Sequence, residues 1–471
     1  MSARAETVEI SSLRELAEYA AKSGNVVRMK PGVYSMSEYF SDDVAAEARR
    51  LVPKQATGRP PVWMLRFSGN DNQFDLRDVT IEIDTALYSK LAGGYRRLLF
   101  MPGERNTLQG LTVVHTGPQR GSGGNTFSVW GVGNTLENVT LHISGSTPYG
   151  YGDLLGKGGP TPVPLEKQSG MMVAGRDNTL KRCRVISRAL GHLFYIQPQN
   201  QVTDNIRLED CYAEGVVRST ADMLRETSGP LVDLKFGTIA ENRDGRFLIV
   251  PGYMKSLTED GFRTYSGTGR ITLLNCTAIN TRAGFEIAGP DDGAVGRTLI
   301  DGGNALGCER AYLIGSNTDV RRSRGDTTHG PLLYLRGGRD SDVELELTGE
   351  GSDFTVHALA TIAGQGHRVR LFTRERARVA PSLPIMLGFA MPAHAEMASP
   401  IRPAAAKNIR LVNELPRNSV IRSAEATDCA VETTGASFTD EESRRPPGRP
   451  QTRPATRPAA ADVPAEPVQA P

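Results

Sequence analysis

Three stretches of the chain repeat one pattern of apolar and polar positions. GERNTLQGLTVVHTG from Gly103, GVGNTLENVTLHISG from Gly131 and GRDNTLKRCRVISRA from Gly175 share Gly-x-x-Asn-Thr-Leu followed by a short alternating run. Looser copies are VTDNIRLEDCYAEG from Val202, GTGRITLLNCTAIN from Gly267, GQGHRVRLFTR from Gly364 and AAKNIRLVNELPRNSVI from Ala405. Each copy reads as a turn, a short strand of period two and another turn. The copies recur at about 20 to 45 residues, a spacing that signals a solenoid or a propeller. A propeller blade needs four strands of similar length. Here each copy holds two or three very short strands with irregular insertions, which predicts a parallel β-helix whose coils stack at about 4.8 Å.

Two details of the repeat carry structural expectations. Asn in the turn is read as tolerating the left-handed backbone of a tight corner. Cys183, Cys211, Cys276 and Cys308 fall at one phase, in RCRV, DCYA, NCTA and GCER, and are expected to stack inward as small apolar groups. The alternative is a redox or metal role, but no CxxC pair occurs and the spacings fit no zinc pattern.

Before the repeats, Ser12-Leu-Arg-Glu15 reads as a capping box. Leu13, Leu16, Ala17 and Ala20 form one apolar face, and Gly24 ends the segment, so a helix over about residues 11–23 is expected. VVRMKPGVY, from Val26 to Tyr34, reads as strand, turn, strand. Such a helix would shield the open end of a solenoid from edge pairing. The helix followed by VVRMKPGVY, with the Asn-turn coils, resembles the right-handed parallel β-helix proteins of the pectate-lyase-like superfamily. The resemblance covers roughly residues 8 to 435 and implies an all-β solenoid with an N-terminal capping helix. Members include polysaccharide lyases, glycoside hydrolases, epimerases and glycan-binding adhesins.

Composition agrees and narrows the partners. Gly accounts for 50 of 471 residues and aromatics for 6%, which suits many turns and a core of small aliphatic side chains. A formal net charge of +2 argues against a nucleic-acid binder. No run of 18 apolar residues exists, so no membrane span is expected, and no signal peptide is visible at the N-terminus. LPIMLGFAMPAHA, from Leu383, reads as buried solenoid coil. The organisation is one domain over 1–439, then a Pro/Arg/Ala-rich tail over 440–471 expected to be disordered.

Candidate chemistry sits in the insertions and turns. Ser144–Lys167 and Val216–Thr258 are the longest insertions, and solenoid insertions commonly build the binding face. Tyr149, Tyr151 and Tyr253 in them either stack on sugar rings or staple the loops. Arg188, Arg218, Arg282 and Arg310 follow the coils at one phase and would form a column. It would be balanced either by Glu214, Asp222, Glu286 and Glu309 or by a polyanionic substrate. The densest polar segment is PGYMKSLTEDGFRTYSG, with Tyr253, Lys255, Glu259, Asp260, Arg263 and Tyr265, and His192 lies one coil upstream.

β-Elimination on a uronic-acid polymer would use these groups. Arg263 or Arg282 would neutralise the substrate carboxylate, Lys255 or His192 would act as base, and Tyr253 or Tyr265 as acid. Glu259, Asp260 and Asp222 are candidate Ca²⁺ ligands, so the cofactor is either none or Ca²⁺. Glycoside hydrolysis would instead use Glu259 with Asp260, or Asp260 with Glu286. Adjacent strand residues point to opposite faces, so the first pair serves only if that turn is irregular. The subfamily motifs do not transfer. Polygalacturonase-type hydrolases carry Asn-Thr-Asp, then Asp-Asp, then Gly-His-Gly, whereas Gly191-His192 here precedes Glu259-Asp260. The signatures of Ca²⁺-dependent pectate lyases, and the Lys and Arg motifs of chondroitinase and alginate lyase type, have no match either. The expected activity is a polysaccharide lyase on an acidic glycan, secreted or periplasmic. The alternatives are a glycoside hydrolase and a non-catalytic glycan-binding adhesin.

Overall fold

The computed structural model describes residues 7–51, 61–91, 95–118, 123–154, 165–199, 202–233, 252–288, 296–349, 357–374, 383–391 and 401–438. The tail over 440–471 lies outside them, as do parts of both insertions.

The repeats are coils of a parallel β-helix. Thr107, Thr135 and Thr179 of the three strict copies are direct partners on neighbouring parallel strands. One long parallel ladder runs from Thr7–Ile10 through these strands to Ala430–Thr433. A second ladder runs from Pro61–Arg66 to Ser437–Phe438. Ile385–Leu387 is a buried rung of the second ladder, so the Leu383 segment is solenoid coil where it is described.

The corner asparagines work differently from expectation. The left-handed residue is the one before the asparagine, Arg105 at φ 53° and Asp177 at φ 58°. Asn72, Asn106, Asn134 and Asn178 are buried and form a side-chain ladder along the helix axis. Asn134 Oδ1 accepts from Asn106 N at 2.9 Å, and Asn178 Oδ1 accepts from Asn134 N at 2.8 Å. Each amide thus satisfies a corner N–H that no strand partner reaches. In two of the looser copies the asparagine falls one place earlier, and Asn205 and Asn408 themselves take positive φ.

The cysteine stack forms with three members. Cys183, Cys211 and Cys276 precede the paired residues Arg184, Tyr212 and Thr277, and all three are buried. The next place in that column is Gly303, before Asn304. Cys308 is five residues further on, where its Sγ lies 3.3 Å from Thr281 Oγ1. The coil turns in register with the one before it, so Gly303 takes the cysteine's place and Cys308 lies at the following corner, beside Thr281.

The capping helix spans Leu13–Ala20, shorter than the expected 11–23. Ser12 Oγ accepts from Glu15 N at 3.2 Å, and Glu15 Oε2 accepts from Ser11 N at 2.9 Å. Leu13, Leu16 and Ala20 are buried against the first coil. A strand, Thr7–Ile10, precedes the helix and pairs with Val26–Met29. No helix among the described residues is long and apolar enough to cross a membrane.

The core is not uniformly small and aliphatic. Phe194, Phe262, Phe285 and Tyr312 stack on successive coils, with ring centroids 5.1, 5.1 and 5.0 Å apart. This column fixes four strands in register, and the outward faces of those strands carry the polar cluster.

Candidate active site

Four successive corners lead into the ring-stack strands. They carry Gly191-His192, Glu259-Asp260, Arg282, and Glu309-Arg310. On the strands themselves, Phe262 points inward, so Arg263 points outward. Tyr195, Arg263 and Glu286 are neighbours in register on that outer face. Gly191 allows the corner to be tight, since a Cβ there would lie 2.4 Å from Gln168 O.

Glu259 and Asp260 both turn into the cluster, because Leu257–Asp260 is a non-strand turn. Asp260 Oδ2 lies 3.0 Å from His192 Nδ1, and Glu259 Oε2 lies 3.4 Å from His192 Nε2. Arg282 spans the floor of the cluster. Its guanidinium is 2.9 Å from Asp260 Oδ1, 3.1 Å from Asp153 Oδ2 and 3.5 Å from both Glu259 Oε1 and Glu286 Oε2. Lys255 Nζ is 2.7 Å from Asp153 Oδ1 and 2.9 Å from Glu309 Oε2, and Lys167 Nζ is 2.7 Å from Glu259 Oε1. Arg263 bridges Asp260, at 3.0 Å, and Glu286.

Burying one ion costs several kcal/mol, so such a cluster persists only because opposite charges alternate through it. The alternation also sets the ionisation of each group. Burial alone would raise Asp260, but the Arg282 guanidinium, His192 and Arg263 hold it well below the usual carboxylate range. Glu286 goes the other way, raised by burial and by the neighbouring Asp260 charge. Burial lowers His192 to about 4, against the opposing pull of Glu259 and Asp260. His192 is therefore neutral at neutral pH. Nδ1 faces the Asp260 carboxylate at 3.0 Å and Nε2 lies 2.8 Å from the Tyr265 hydroxyl, so the tautomer protonated at Nδ1 would leave Nε2 to accept from that hydroxyl.

Accessibility sorts the expected residues. Lys255, Asp260 and Arg282 are at most 1% exposed and fully engaged, so they hold the cluster rather than meet a substrate. Arg263, at 18% side-chain exposure, and the half-buried Tyr265 form the rim facing solvent, with His192 just behind. Tyr253 is elsewhere, its hydroxyl 2.9 Å from His357 Nε2. The arginine column does not form. Arg188 is exposed on its own coil, and Arg218 sits in an antiparallel pairing of the second insertion, bound to Glu226 and Gly150. Arg282 and Arg310 are neighbours but buried, and Glu286 is buried beside them, so none of the three offers a fork to solvent. Tyr151 staples loops, its buried hydroxyl donating to Glu226 Oε2 at 2.7 Å, while Tyr149 is exposed.

The expected Ca²⁺ ligands are not brought together. Asp222 is 54% exposed and paired with Arg225, whereas Glu259 and Asp260 are saturated by cations and His192. Among the described residues no group of three or more His, Cys, Asp or Glu is placed to hold a metal ion. Two members of the cluster, Asp153 and Lys167, carried no signal in the sequence. They come from the first insertion, and only folding brings that loop over the corner.

No protein-family model matches the chain, and no curated protein matches it in sequence. Solved structures do. The chain is similar to a PL6 alginate lyase in complex with a trisaccharide, at 13% identity and a TM-score of 0.43 over 93% of this chain and 85% of that one. It is similar to a pectate lyase at 13% identity and a TM-score of 0.39, covering 80% and 78%. A GH87 α-1,3-glucanase catalytic domain in complex with nigerose matches at 12% identity and a TM-score of 0.34, covering 93% and 69%. The likeness is one of fold, and at these values it carries no activity across.

Proposed function

We propose that the protein is a polysaccharide lyase that cleaves an acidic glycan by β-elimination at the Arg263–Tyr265–His192 rim. The observation that carries this reading is the neutral His192 held between Asp260 and the hydroxyl of the part-buried Tyr265, with the Arg263 guanidinium 4.4 Å from the Tyr265 ring centre. Arg263 neutralises the uronate carboxylate and so acidifies the adjacent C–H. The Tyr265 oxygen takes that proton while passing its own to His192 Nε2. The freed electron pair forms the C=C bond, the glycosidic C–O bond breaks, and the proton returns through Tyr265 to the leaving oxygen. Asp260 and Glu259 stabilise the transient imidazolium. Polymeric uronates lie outside the cytoplasm, so this reading also places the protein as secreted or periplasmic.

Hydrolysis is the second reading. It is favoured by Asp260 and Glu286, which share Arg263 and Arg282 yet are pushed to opposite sides of the carboxylate range. Their burial counts against it, since an attacking water must reach one of them.

The test is incubation with a panel of uronic-acid polysaccharides, following absorbance of the unsaturated uronate and, separately, new reducing ends. A rise in absorbance that is lost in Tyr265→Phe and Arg263→Gln supports the lyase. New reducing ends without that absorbance move the assignment to hydrolysis. Binding with neither product makes the protein a glycan-binding solenoid.

A further inference from the structure

On the same outer face, N-terminal to the rim, lies a cation that the cluster does not use. Arg97 is 2% exposed, and no carboxylate among the described residues lies within ion-pair distance of it. Its hydrogen bonds are few and to neutral acceptors: Nη1 to Ser128 Oγ at 3.3 Å and Met172 Sδ at 3.0 Å, and Nη2 to Gln199 Oε1 at 3.3 Å. Its Nε has no partner. Aromatic rings surround it, with Trp130 at 3.9 Å, Tyr95 at 5.0 Å and Phe100 at 5.7 Å from the guanidinium. Burial lowers Arg97 to about 10. One rung below, the half-buried Arg66 lies 4.9 Å over Trp63, and its Nε also lacks a partner.

Cation–π contact recovers about 2 kcal/mol for a desolvated arginine, less than the several kcal/mol that burying the ion costs. A structural arginine would carry a carboxylate partner, as the buried Lys255 and Arg282 of the cluster do. Arg97 has no such partner among the described residues. Tyr195 connects it to the rim: its hydroxyl bonds Asn125 Oδ1, and its ring centre is 5.4 Å from that of His192. Four rung steps separate the Arg97 strand from the Arg263 strand, about 19 Å along the solenoid.

We propose that Arg97, with Arg66 and the Trp63–Phe100–Trp130 aromatic group, is a distal subsite for one carboxylate of the uronate chain whose cleavage takes place at Arg263. The proposal rests on the lyase reading for the identity of the anion. The carboxylate displaces the half-buried Gln199 from its long contact and accepts from the guanidinium edge so freed, while the sugar face lies on the half-buried Trp130 indole.

The chain's two tryptophans are Trp63 and Trp130, so intrinsic fluorescence reports this subsite independently of catalysis. The full chain is titrated with dimeric and hexameric oligogalacturonate and oligomannuronate, with malto-oligosaccharides, and with acetate and inorganic phosphate. A fluorescence change with uronate hexamers, absent with neutral sugars, is expected. Arg97→Met should weaken it about tenfold to a hundredfold, with Arg97→Lys intermediate, and without lowering the melting temperature. No fluorescence change with any uronate, or an unchanged affinity in Arg97→Met, overturns the subsite, as does an equal response to acetate or phosphate. Cleavage without a fluorescence response removes the subsite and keeps the lyase. A response lost in Arg97→Met without cleavage keeps the subsite and removes the lyase.

Discussion

The Tyr265 hydroxyl sits 2.8 Å from His192 Nε2, while the opposite ring nitrogen of His192 faces Asp260. The contact joins a fully buried carboxylate to the hydroxyl of the part-buried Tyr265 through one neutral imidazole. Tyr265→Phe removes the hydroxyl and keeps the ring against Arg263. The variant should fold normally and lose about 10²- to 10⁴-fold in kcat on a uronate polymer, with KM little changed. A kcat within twofold of the parent would remove Tyr265 from proton transfer.

Arg282 tests the cluster itself. Replacing it by Met leaves Asp260, Glu259, Asp153 and Glu286 without their shared partner in a dry site. The expected destabilisation is about 3–5 kcal/mol, read as a lower denaturant midpoint. A midpoint equal to the parent's would mean that water enters the cluster.

Two buried histidines set the acid side of the stability profile. His192 and His115 are each lowered by burial from 6.5 to about 4. As pH falls, the unfolded chain binds these protons first, so each histidine withdraws stability from about pH 6.5 down to about 4. At about 1.4 kcal/mol per pH unit, each contributes on the order of 3 kcal/mol above that window. Asp260 adds loss in the same direction at lower pH. Melting temperature should fall across this window, and His115→Gln should flatten part of the fall. A flat profile would contradict the burial of both rings.

The asparagine ladder predicts a local cost. Asn134→Ala removes the acceptor of the Asn106 N–H and the donor to Gly103 O at 2.9 Å. Leaving those buried groups unpaired should cost about 1–3 kcal/mol each. Asn205→Ala, at a left-handed position outside the buried ladder, should cost less. Equal losses at both sites would make backbone conformation, not the ladder, the role of Asn134.

The solenoid was legible from the chain alone, because each coil must repeat its pattern to stack. Thr107, Thr135 and Thr179 were aligned by the Asn-Thr-Leu phrase and are paired in the fold. Ser12 and Glu15 were likewise readable, since a cap needs only residues three apart. Local pattern failed where one phrase recurs at a different corner, as at Cys308, and where an insertion interrupts the coil, as at Arg218.

The polar segment around Asp260 was visible as a density of charge, but its pairing was not. Sequence determined the rungs, the inward alternation and the candidate residues, because these follow from a period-two strand and a repeated turn. Tertiary structure alone decided that Lys255 and Arg282 are buried braces, that Asp153 and Lys167 join them from a distant loop, and that no carboxylate among the described residues pairs with Arg97. The ionisation and reach of each side chain depend on which charges other coils and loops bring within a few ångströms, and spacing along one strand carries no record of that.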